Sequence, residues 1–369
     1  MKRSPAFPLV LAIVSGVLWA GCGGADEAAP EEALTTQDPV GVNGDAARIL
    51  FYTNNVENLP TSKLAAGDGP TCPGDWQDLL YYVKQTGVAP DFFVVQQISD
   101  SAQLDTKLAA KMLELLGVEY GTIIAEQSPA YWAASDCSTK HYQTNAIVYR
   151  KSRFTYVAGS KQTWRAVVSD NGACKTSDVA RYVNVAAKFQ DKLQPFGGGF
   201  KEIAVGSVHF PVVDGCGVTN VVKTDIMMTS YSGAQMFVWG GDINLPELET
   251  PKEPNSPYKS WYTKANAALG EAGNANYRDP VYEGCDATTA DDASLKACLI
   301  KNATMKFGSR YDFLFAKYKD SYKSESAKWS DGRTVGFEEA GQADLAATGS
   351  DNADLVYSNH RAVSGYVYW

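Results

Sequence analysis

The stretch DFFVVQQISD, residues 91–100, decides the fold class. After Asp91 it is apolar at four consecutive positions, whereas a strand with one solvent-exposed face would alternate apolar and polar residues. Two later stretches, IAVGSV at 203–208 and MFVW at 236–239, have the same character. Strands of this kind are typically buried on both faces beneath helices. The sequence therefore predicts a layered α/β domain.

Predicted helices alternate with these strands along the chain. Residues 76–84 and 104–116 read as helices, and the remaining strand-like stretches are rich in β-branched and aromatic residues. These stretches are ARILFYTNNV at 47–56, YGTIIAE at 120–126, NAIVYRK at 145–151, RYVNVAAKF at 181–189, RYDFLFAKY at 310–318 and RAVSGYVYW at 361–369. We interpret residues 47–369 as one domain, with an insertion or long loop at about 245–308, where Pro, Asn, Gly and Ala are frequent.

The first residues of the chain predict export. Two basic residues precede an apolar run over residues 6–19, which is too short to span a membrane and fits a secretory signal. The run leads into AGC at 20–22, which resembles the lipobox of bacterial lipoproteins, where the cysteine carries the lipid. We therefore expect residues 1–21 to be a signal peptide and Cys22 to be lipidated. Ordinary secretion with a free Cys22 is the alternative.

The next segment, residues 22–46, is small, acidic and Pro-containing, and it has no apolar periodicity. Such a composition predicts a flexible tether. The expected location is therefore the bacterial cell envelope, with a lipid anchor in a membrane and the outer membrane favoured.

The cysteine count agrees with export. The chain has seven cysteines, and six remain once Cys22 is assigned to the lipid. An even number in an exported chain predicts disulfides, and no CxxC or Cys/His spacing suggests zinc. The expected pairs are Cys285–Cys298, Cys137–Cys174 and Cys72–Cys216. The first pair is favoured because both cysteines lie in the 245–308 segment.

The charge of the chain bears on its partners. The net charge is −9 at pH 7, whereas proteins that coat nucleic acid carry a broad positive surface. We therefore expect no broad nucleic-acid-binding surface. The net charge does not exclude a local basic cleft. We also expect a monomer.

Polar residues follow several of the buried strands at the point where each strand ends. Such positions build sites in α/β folds, because the strands hold the side chains rigidly and the loops open a crevice. Each residue taken alone has a simpler explanation as a turn residue, a helix cap or a structural histidine. The set consists of Asn55, Glu57, His209, Asp242, Asn244, Asp312 and His360.

The order of these motifs resembles the endonuclease/exonuclease/phosphatase superfamily. The motifs are NVE at 55–57, PD at 90–91 leading to Gln97, His209, GDIN at 241–244, RYD at 310–312 and SNH at 358–360. That superfamily includes pancreatic deoxyribonuclease, abasic-site endonucleases, inositol polyphosphate phosphatases and bacterial sphingomyelinases. The resemblance covers about residues 48–369 and implies a four-layer sandwich of two mixed β-sheets flanked by helices.

The resemblance also implies roles for the strand-end residues. Asp312 would orient His360, which would interact with the attacking water or the scissile phosphate. Phosphoryl transfer needs an in-line water and stabilised charge on the non-bridging oxygens. The side chains expected to hold the phosphate oxygens and the water are His209, Asn55, Asp242 and Asn244.

The metal-ligand positions depart from the family pattern. The chain has Gln97 where the family has Glu and Asn359 where the family has Asp, so Glu57 is the remaining carboxylate of that cluster. Mg²⁺ relies on carboxylates and substrate phosphates. We therefore expect Mg²⁺ or another divalent cation to bind at Glu57, Gln97 and Asn359 weakly or not at all.

Two functions remain open at this point. The first is an exported phosphoesterase that cleaves a phosphodiester or phosphomonoester by metal-assisted attack of water. The second is a catalytically impaired pseudoenzyme that binds a phosphate-bearing ligand or a protein. A structural lipoprotein is a third and weaker alternative, because the polar losses are confined to metal ligands. The substrate, whether nucleic acid, inositol phosphate or lipid, is not specified by the sequence.

Overall fold

The computed structural model describes residues 40–56, 77–98, 104–127, 143–212, 215–244, 277–305, 310–319, 330–334 and 360–369. All of them lie within one compact unit, Asp38–Trp369. The predicted signal peptide and most of the tether fall outside the described residues. So do several predicted functional or disulfide residues, namely Cys22, Glu57, Cys72, Cys137 and Asn359.

The described strands confirm the predicted strand stretches and add short ones. They are β1 Gly41–Val42, β2 Arg48–Asn55, β3 Val88–Ala89, β4 Phe92–Ile98, β5 Tyr120–Ile124, β6 Thr144–Arg150, β7 Phe154–Tyr156, β8 Gln162–Arg165, β9 Val167–Asp170, β10 Ala173–Thr176, β11 Val183–Phe196, β12 Gly199–His209, β13 Met236–Asp242, β14 Asp312–Tyr318, β15 Ser330–Thr334 and β16 Val363–Tyr368.

Two six-stranded mixed sheets contain most of these strands. One sheet has the order β14-β13-β12-β11-β7, with β8 also paired to β11, and the other has the order β15-β16-β2-β4-β6-β5. Within each sheet one central pair is parallel, β12 with β13 and β2 with β4, and the other described pairs are antiparallel. The carboxyl ends of both parallel pairs are where the candidate site residues lie.

Helices cover the outer face of each sheet. They are α1 Gln77–Thr86, α2 Ala110–Leu116, which continues from a π-helical turn at Leu104–Ala109, α3 Gly217–Thr229, α4 Pro280–Thr288 and α5 Asp292–Lys301. The first two pack on the β2 sheet, and α3 and α5 pack on the β12 sheet, whereas α4 contacts strands of both sheets and contributes Val281 to the core between them. None of the described helices is long and apolar enough to span a membrane.

The alternation of side chains along β2 shows how the layers form. Leu50 and Tyr52 point into the core beneath α1 and α2, whereas Ile49 and Phe51 point into the core between the sheets. Successive side chains of a strand face opposite sides, so a strand covered on both sides is apolar at consecutive positions. The four-layer sandwich of two mixed β-sheets flanked by helices is confirmed.

The end of the sandwich opposite the strand ends that carry the site is held by buried ion pairs. Asp91 accepts hydrogen bonds from Arg150 Nη2 at 2.6 Å and from Arg153 Nη1 at 3.1 Å. Arg153 Nη2 also donates to Asp191 at 2.8 Å, and Asp191 accepts from Trp369 Nε1 at 2.7 Å. All four charged side chains are at most 4% exposed. The network links β4 and β6 of one sheet to β11 of the other.

One of the expected disulfides forms, and two expected pairings are wrong. Cys285 on α4 bonds to Cys298 on α5 as predicted. Cys174 bonds to Cys216, not to Cys137, so Cys216 is not available to Cys72. The reason is tertiary: the backbone N–H of Val167 donates to Asn220 Oδ1 at 2.7 Å, which joins the β9–β10 hairpin to the first turn of α3.

The segment 245–308 contains regular structure in its second half. Residues 277–305 include α4 and α5, which begin at the capping residues Asp279 and Asp291. Tyr277 and Val281 are fully buried. This half therefore belongs to the packed body, while residues 245–276 lie outside the described part.

Candidate active site

Strand register brings three of the predicted residues into one row. His209 ends β12 opposite Asp242, which ends β13, and Asp242 is opposite Asp312, which begins β14. In the other sheet Asn55 ends β2, and His360 lies shortly before β16. The row and these two residues meet between the sheets at one end of the sandwich.

Two glycines allow close packing beside Asp242, Gly240 against the other sheet and Gly241 against the neighbouring strand β12 of its own sheet. A Cβ atom on Gly240 would lie 2.9 Å from Cβ of Thr53 on the other sheet, and one on Gly241 would lie 1.8 Å from the carbonyl oxygen of Val208. Neither position has room for a side chain. The GG of GGDIN therefore brings Asp242 within reach of β2.

The best-defined pair is formed by Asp312 and His360. Nδ1 of His360 lies 2.8 Å from Oδ2 of Asp312, a distance at which the imidazole N–H donates to the carboxylate. Asp312 is completely buried, and its backbone N–H donates to Thr304 Oγ1 at 3.1 Å. Its second oxygen, Oδ1, is buried and has no hydrogen-bond partner among the described residues. The pair fixes the tautomer of His360, and Nε2 is the ring nitrogen that faces away from Asp312.

Asp242 lies at the centre of the site. Its Oδ2 accepts a hydrogen bond from Asn55 Nδ2 at 3.0 Å, and its Oδ1 accepts one from the backbone N–H of Asn244 at 3.0 Å. The same Oδ2 lies 3.5 Å from Nε2 of His209 and 3.8 Å from Nε2 of His360. Burial raises the pKa of Asp242 to about 7, with the Asp312 carboxylate adding to the rise, and His360 and the two hydrogen bonds oppose it.

His209 forms the wall of the site on β12. Its backbone N–H donates to Asn184 Oδ1 at 2.7 Å, and its ring meets the Tyr182 ring edge to face at 5.1 Å. Burial lowers the pKa of His209 well below 6.5, and the positive charges of Arg181 and His360 lower it further. His209 is therefore neutral at physiological pH and adds polar nitrogens without adding charge.

Asn244 and Asn55 support Asp242. Asn244 has a left-handed backbone, with φ of 51°, and its side chain donates to the carbonyl of Phe210 at 2.9 Å. Asparagine tolerates this conformation better than most residues do. The Asn55 side chain and the backbone N–H of Asn244 both donate to Asp242, and together they hold the central carboxylate in place.

Gln97 lies at the same end of β4 and has an unusual backbone. Its φ is 60°, and the β4–β6 register shifts between Val95 and Ile98. A bulge of this kind redirects a side chain and is frequent beside functional sites. The side-chain oxygen of Gln97 accepts from Gln143 Nε2 at 3.3 Å. The other two predicted ligands, Glu57 and Asn359, lie outside the described residues.

A different set of residues forms a group that could hold a metal ion. Ligand atoms of Asp242, Asp312 and His360 lie within 4.8 Å of one another. The buried Oδ1 of Asp312 has no partner in the described part of the chain, which fits a ligand role. Two carboxylates and an imidazole suit a transition-type divalent ion such as Zn²⁺ or Mn²⁺ at least as well as Mg²⁺.

Some residues of the site were missed in the sequence. Asn184 and Tyr182 contact His209, and Thr304 supports Asp312. The first two belong to RYVN at 181–184, where a polar Asn opens an otherwise apolar strand. That break in the apolar pattern was the sequence feature that could have identified Asn184. No sequence feature marked Thr304, because it lies in the turn after α5.

Comparison with known proteins gives structural matches. No known protein-family profile and no curated protein sequence matches the chain. The solved structures that resemble it include an endonuclease/exonuclease/phosphatase from Bacteroides vulgatus, with 13% sequence identity, 87% of this chain and 98% of that chain covered, and a TM-score of 0.50.

Two further structures show weaker similarity. A family protein from Bacteroides thetaiotaomicron has 15% identity, with 87% of this chain and 94% of that chain covered and a TM-score of 0.48. The catalytic domain of human Nocturnin with bound sulfate has 14% identity, with 88% and 94% covered and a TM-score of 0.49. Identities this low concern the fold alone. The chain has the fold of the endonuclease/exonuclease/phosphatase proteins.

Proposed function

We propose that this protein is a phosphoesterase that hydrolyses a phosphodiester or a phosphomonoester by attack of water at the site around Asp242. The observation that carries the proposal is the oriented pair Asp312–His360, whose Nε2 lies 3.8 Å from Oδ2 of Asp242. A buried acid, an oriented imidazole and a neutral second histidine at one end of the sandwich are suited to moving a proton and holding a phosphoryl group.

Asp242 is the group that accepts the proton of the attacking water. General bases work best when their pKa lies near the operating pH, and the pKa of Asp242 is raised to about 7. The hydrogen bonds from Asn55 Nδ2 and from the Asn244 backbone fix the plane of its carboxylate. Asn55 and Asn244 thus act as positioning residues, in addition to the phosphate contacts expected from the sequence.

His360 binds the phosphoryl group. The Asp312 carboxylate supports the positively charged form of its imidazole, which can donate from Nε2 to an oxygen of the phosphate. His209 lies on the other side of Asp242 and stays neutral. A phosphate ester would thus meet one cationic and one neutral imidazole.

A divalent ion would add charge neutralisation at the non-bridging oxygens and a more acidic bound water. Asp242, Asp312 and His360 are the described residues that would hold it. The sequence-based ligand set of Glu57, Gln97 and Asn359 remains a proposal. In that set, Gln97 supplies a neutral oxygen that already accepts from Gln143.

A binding protein without catalysis is the second candidate. The amide at Gln97 supports it, because an amide in place of a carboxylate leaves the pocket shape and removes one negative charge. A less negative pocket attracts an anionic phosphate even without metal. In this case the site binds a phosphate-bearing ligand and turns nothing over.

Turnover of bis-nitrophenyl phosphate by the purified protein separates the two candidates. The rate is measured with Mg²⁺, Mn²⁺, Zn²⁺, Ca²⁺ or chelator, for the native chain, for His360→Ala and for the double variant Gln97→Glu/Asn359→Asp. A native rate that chelator and His360→Ala both abolish supports the enzyme. Activity in the double variant alone shows a pocket that has lost its metal. No rate in either protein, combined with phosphate binding, supports the binding module.

The location is extracytoplasmic. Two disulfides form among the described residues, Cys174–Cys216 and Cys285–Cys298, and disulfides persist in oxidising compartments. We further propose that Cys22 carries a lipid that anchors the protein in the cell envelope. Metabolic labelling with a radioactive fatty acid should mark the native chain and leave Cys22→Ser unmarked. Label on both proteins would refute the anchor at this cysteine.

A further inference from the structure

The hairpin between β11 and β12 projects beyond its sheet. Pairing of β11 with β7 stops at Asp191, and pairing of β12 with β13 starts at Ile203. Beyond Asp191 the β11–β12 ladder is interrupted at residues 192–194, where the N–H of Lys192 donates to Arg153 O at 2.9 Å, and the two strands pair again at Pro195 opposite Phe200 and Phe196 opposite Gly199. Gly197 and Gly198 close the turn with φ of 57° and 83°, which matches the tight hairpin turn that needs two left-handed residues.

The tip of this hairpin is apolar on both faces. Leu193, Phe196 and Phe200 are 39%, 50% and 38% exposed, and they are three of the eight exposed large apolar side chains in the described part of the chain. Opposite residues of an antiparallel pair share a face. Phe200 therefore lies with Pro195 on one face, while Phe196 lies beside Gly199 on the other.

The tip is also basic, although the chain is acidic. Residues 192–201, KLQPFGGGFK, contain two lysines and no acidic residue, whereas the whole chain has a net charge of −9. Lys201 Nζ lies 5.2 Å above the Trp369 ring, and Lys192 is exposed. Aromatic and apolar side chains bordered by lysines are the composition that binds the interface of an anionic membrane.

The hairpin lies at the end of the molecule remote from the site. Nine residues of extended β12 separate Phe200 from His209, which corresponds to about 30 Å. The first described residues lie at the same end of the molecule as the hairpin. The N–H of Val40 donates to Leu116 O, and Ala46 O accepts from both Gln194 and Arg153. The predicted tether, residues 22–46, thus joins the body beside the hairpin.

We propose that this hairpin tip inserts into the interface of an anionic lipid membrane, so that the candidate site faces away from the lipid. A protein partner would cover one face of the hairpin. Exposed apolar side chains on both faces instead fit a lipid interface that surrounds the tip. The lysines would contact the headgroups, and Phe196, Phe200 and Leu193 would enter the acyl boundary. This inference is independent of catalysis and of the lipid on Cys22.

Vesicle co-sedimentation tests the proposal with residues 22–369 carrying Cys22→Ser, so that neither the apolar segment at 6–19 nor an attached lipid contributes. The vesicles contain phosphatidylethanolamine with phosphatidylglycerol, or phosphatidylcholine alone. We expect Phe196→Ser/Phe200→Ser to weaken binding to the anionic vesicles by at least about tenfold. Lys192→Gln/Lys201→Gln should weaken binding about tenfold on anionic vesicles and leave binding to phosphatidylcholine unchanged. The matched control, Ile226→Ser/Ile300→Ser, changes two other exposed apolar residues and should bind as the parent does.

A second measurement locates the inserted residue. Fluorescence of Phe196→Trp should be quenched by brominated lipid, whereas that of Ile226→Trp should not. The proposal is overturned if the parent fails to bind anionic vesicles, if the hairpin and control variants bind alike, or if brominated lipid quenches neither tryptophan. Dimerisation in ultracentrifugation that Phe196→Ser/Phe200→Ser abolishes, without vesicle binding, would assign the tip to a second copy of the chain instead.

Discussion

Nε2 of His209 lies 3.5 Å from Oδ2 of Asp242, yet the two groups do not form an ion pair at neutral pH. Burial lowers the pKa of His209 well below its usual 6.5 and raises that of Asp242 to about 7. Each shift favours the neutral form. The site therefore keeps a carboxyl group that gains and loses a proton near physiological pH.

Because the pKa of Asp242 is raised, ionisation of this carboxyl group lowers the free energy of unfolding. The unfolded chain ionises this group near 3.8 and the folded protein near 7, so the stability contributed by the protonated form is lost as pH rises between these values. We expect Asp242→Asn to gain stability relative to the native protein as pH rises, by about 3 kcal/mol between about pH 5 and about pH 8. Guanidinium unfolding in chelator measures this difference.

Asp45→Asn is the control for that experiment, because Asp45 is exposed and pairs at the surface with Arg48. Its effect should be small and nearly constant with pH. An Asp242→Asn difference that is also constant across the range would contradict the raised pKa.

Removing the carboxylate behind His360 should slow turnover without abolishing substrate binding. In Asp312→Asn the partner of His360 Nδ1 is neutral, so the imidazolium loses its support and the tautomer is no longer fixed. We expect kcat for bis-nitrophenyl phosphate to fall about 10²- to 10⁴-fold, with a smaller change in KM. Steady-state kinetics over a pH series gives both values.

The matched control is Asp170→Asn, which removes an exposed carboxylate paired with Lys175. It should leave kcat unchanged. Asp312 would be structural, and would not act through His360, if Asp312→Asn and Asp170→Asn lowered kcat equally. The same would follow if the pH profile of Asp312→Asn matched that of the native protein.

Two adjacent glutamines should respond oppositely to the same substitution. Gln97 is at the bulge, at the site end of β4, whereas Gln96 Nε2 donates between the sheets to Ser207 Oγ at 3.0 Å. We expect Gln97→Glu to bind a divalent ion at least about tenfold more tightly, because it adds one anionic ligand. Gln96→Glu should instead destabilise the fold, since it places a charge between the sheets. Calorimetric metal titration and thermal unfolding make the comparison.

The buried ion pairs opposite the site should dominate local stability there. Asp91→Ala would leave Arg150 without its carboxylate partner in a buried position and remove one partner of Arg153. Breaking such a pair costs about 3–5 kcal/mol, whereas an exposed pair is worth about 1 kcal/mol or less. Chemical unfolding of Asp91→Ala beside Asp45→Ala tests the contrast. Equal losses in the two variants would argue against the network.

Removing the two disulfides should have unequal effects. Cys174–Cys216 spans a sequence separation of 42 residues and Cys285–Cys298 one of 13. From chain entropy, the double Ser variants should lose about 4 and about 3 kcal/mol respectively. Peptide mapping under non-reducing conditions checks the pairing first. A peptide linking Cys137 to Cys174 would contradict the structure.

Local sequence patterns were sufficient for much of the fold. Apolar runs on consecutive residues identified β4, β12 and β13 as strands covered on both faces, and composition located α1 and α2. The helices α3, α4 and α5 were not identified in advance. α4 and α5 lie in a stretch rich in turn-forming residues, where packing against the β12 sheet rather than local preference stabilises the helices.

The order of polar residues at the strand ends pointed to the candidate site, but their contacts did not follow from that order. Asn55 and Asp242 are 187 positions apart in the chain, and their hydrogen bond depends on the close approach of the sheets at Gly240. The same long-range geometry paired Cys174 with Cys216, where the expected partner had been Cys137.

The sequence by itself determined the layered α/β class and the identity of the strand-end side chains, because these depend on composition and on the period of two along a strand. Only the tertiary structure decided which cysteines bond, which amides hold Asp242, and that burial raises its pKa to about 7. Such properties depend on the groups that surround a side chain in space, and those groups come from distant parts of the chain.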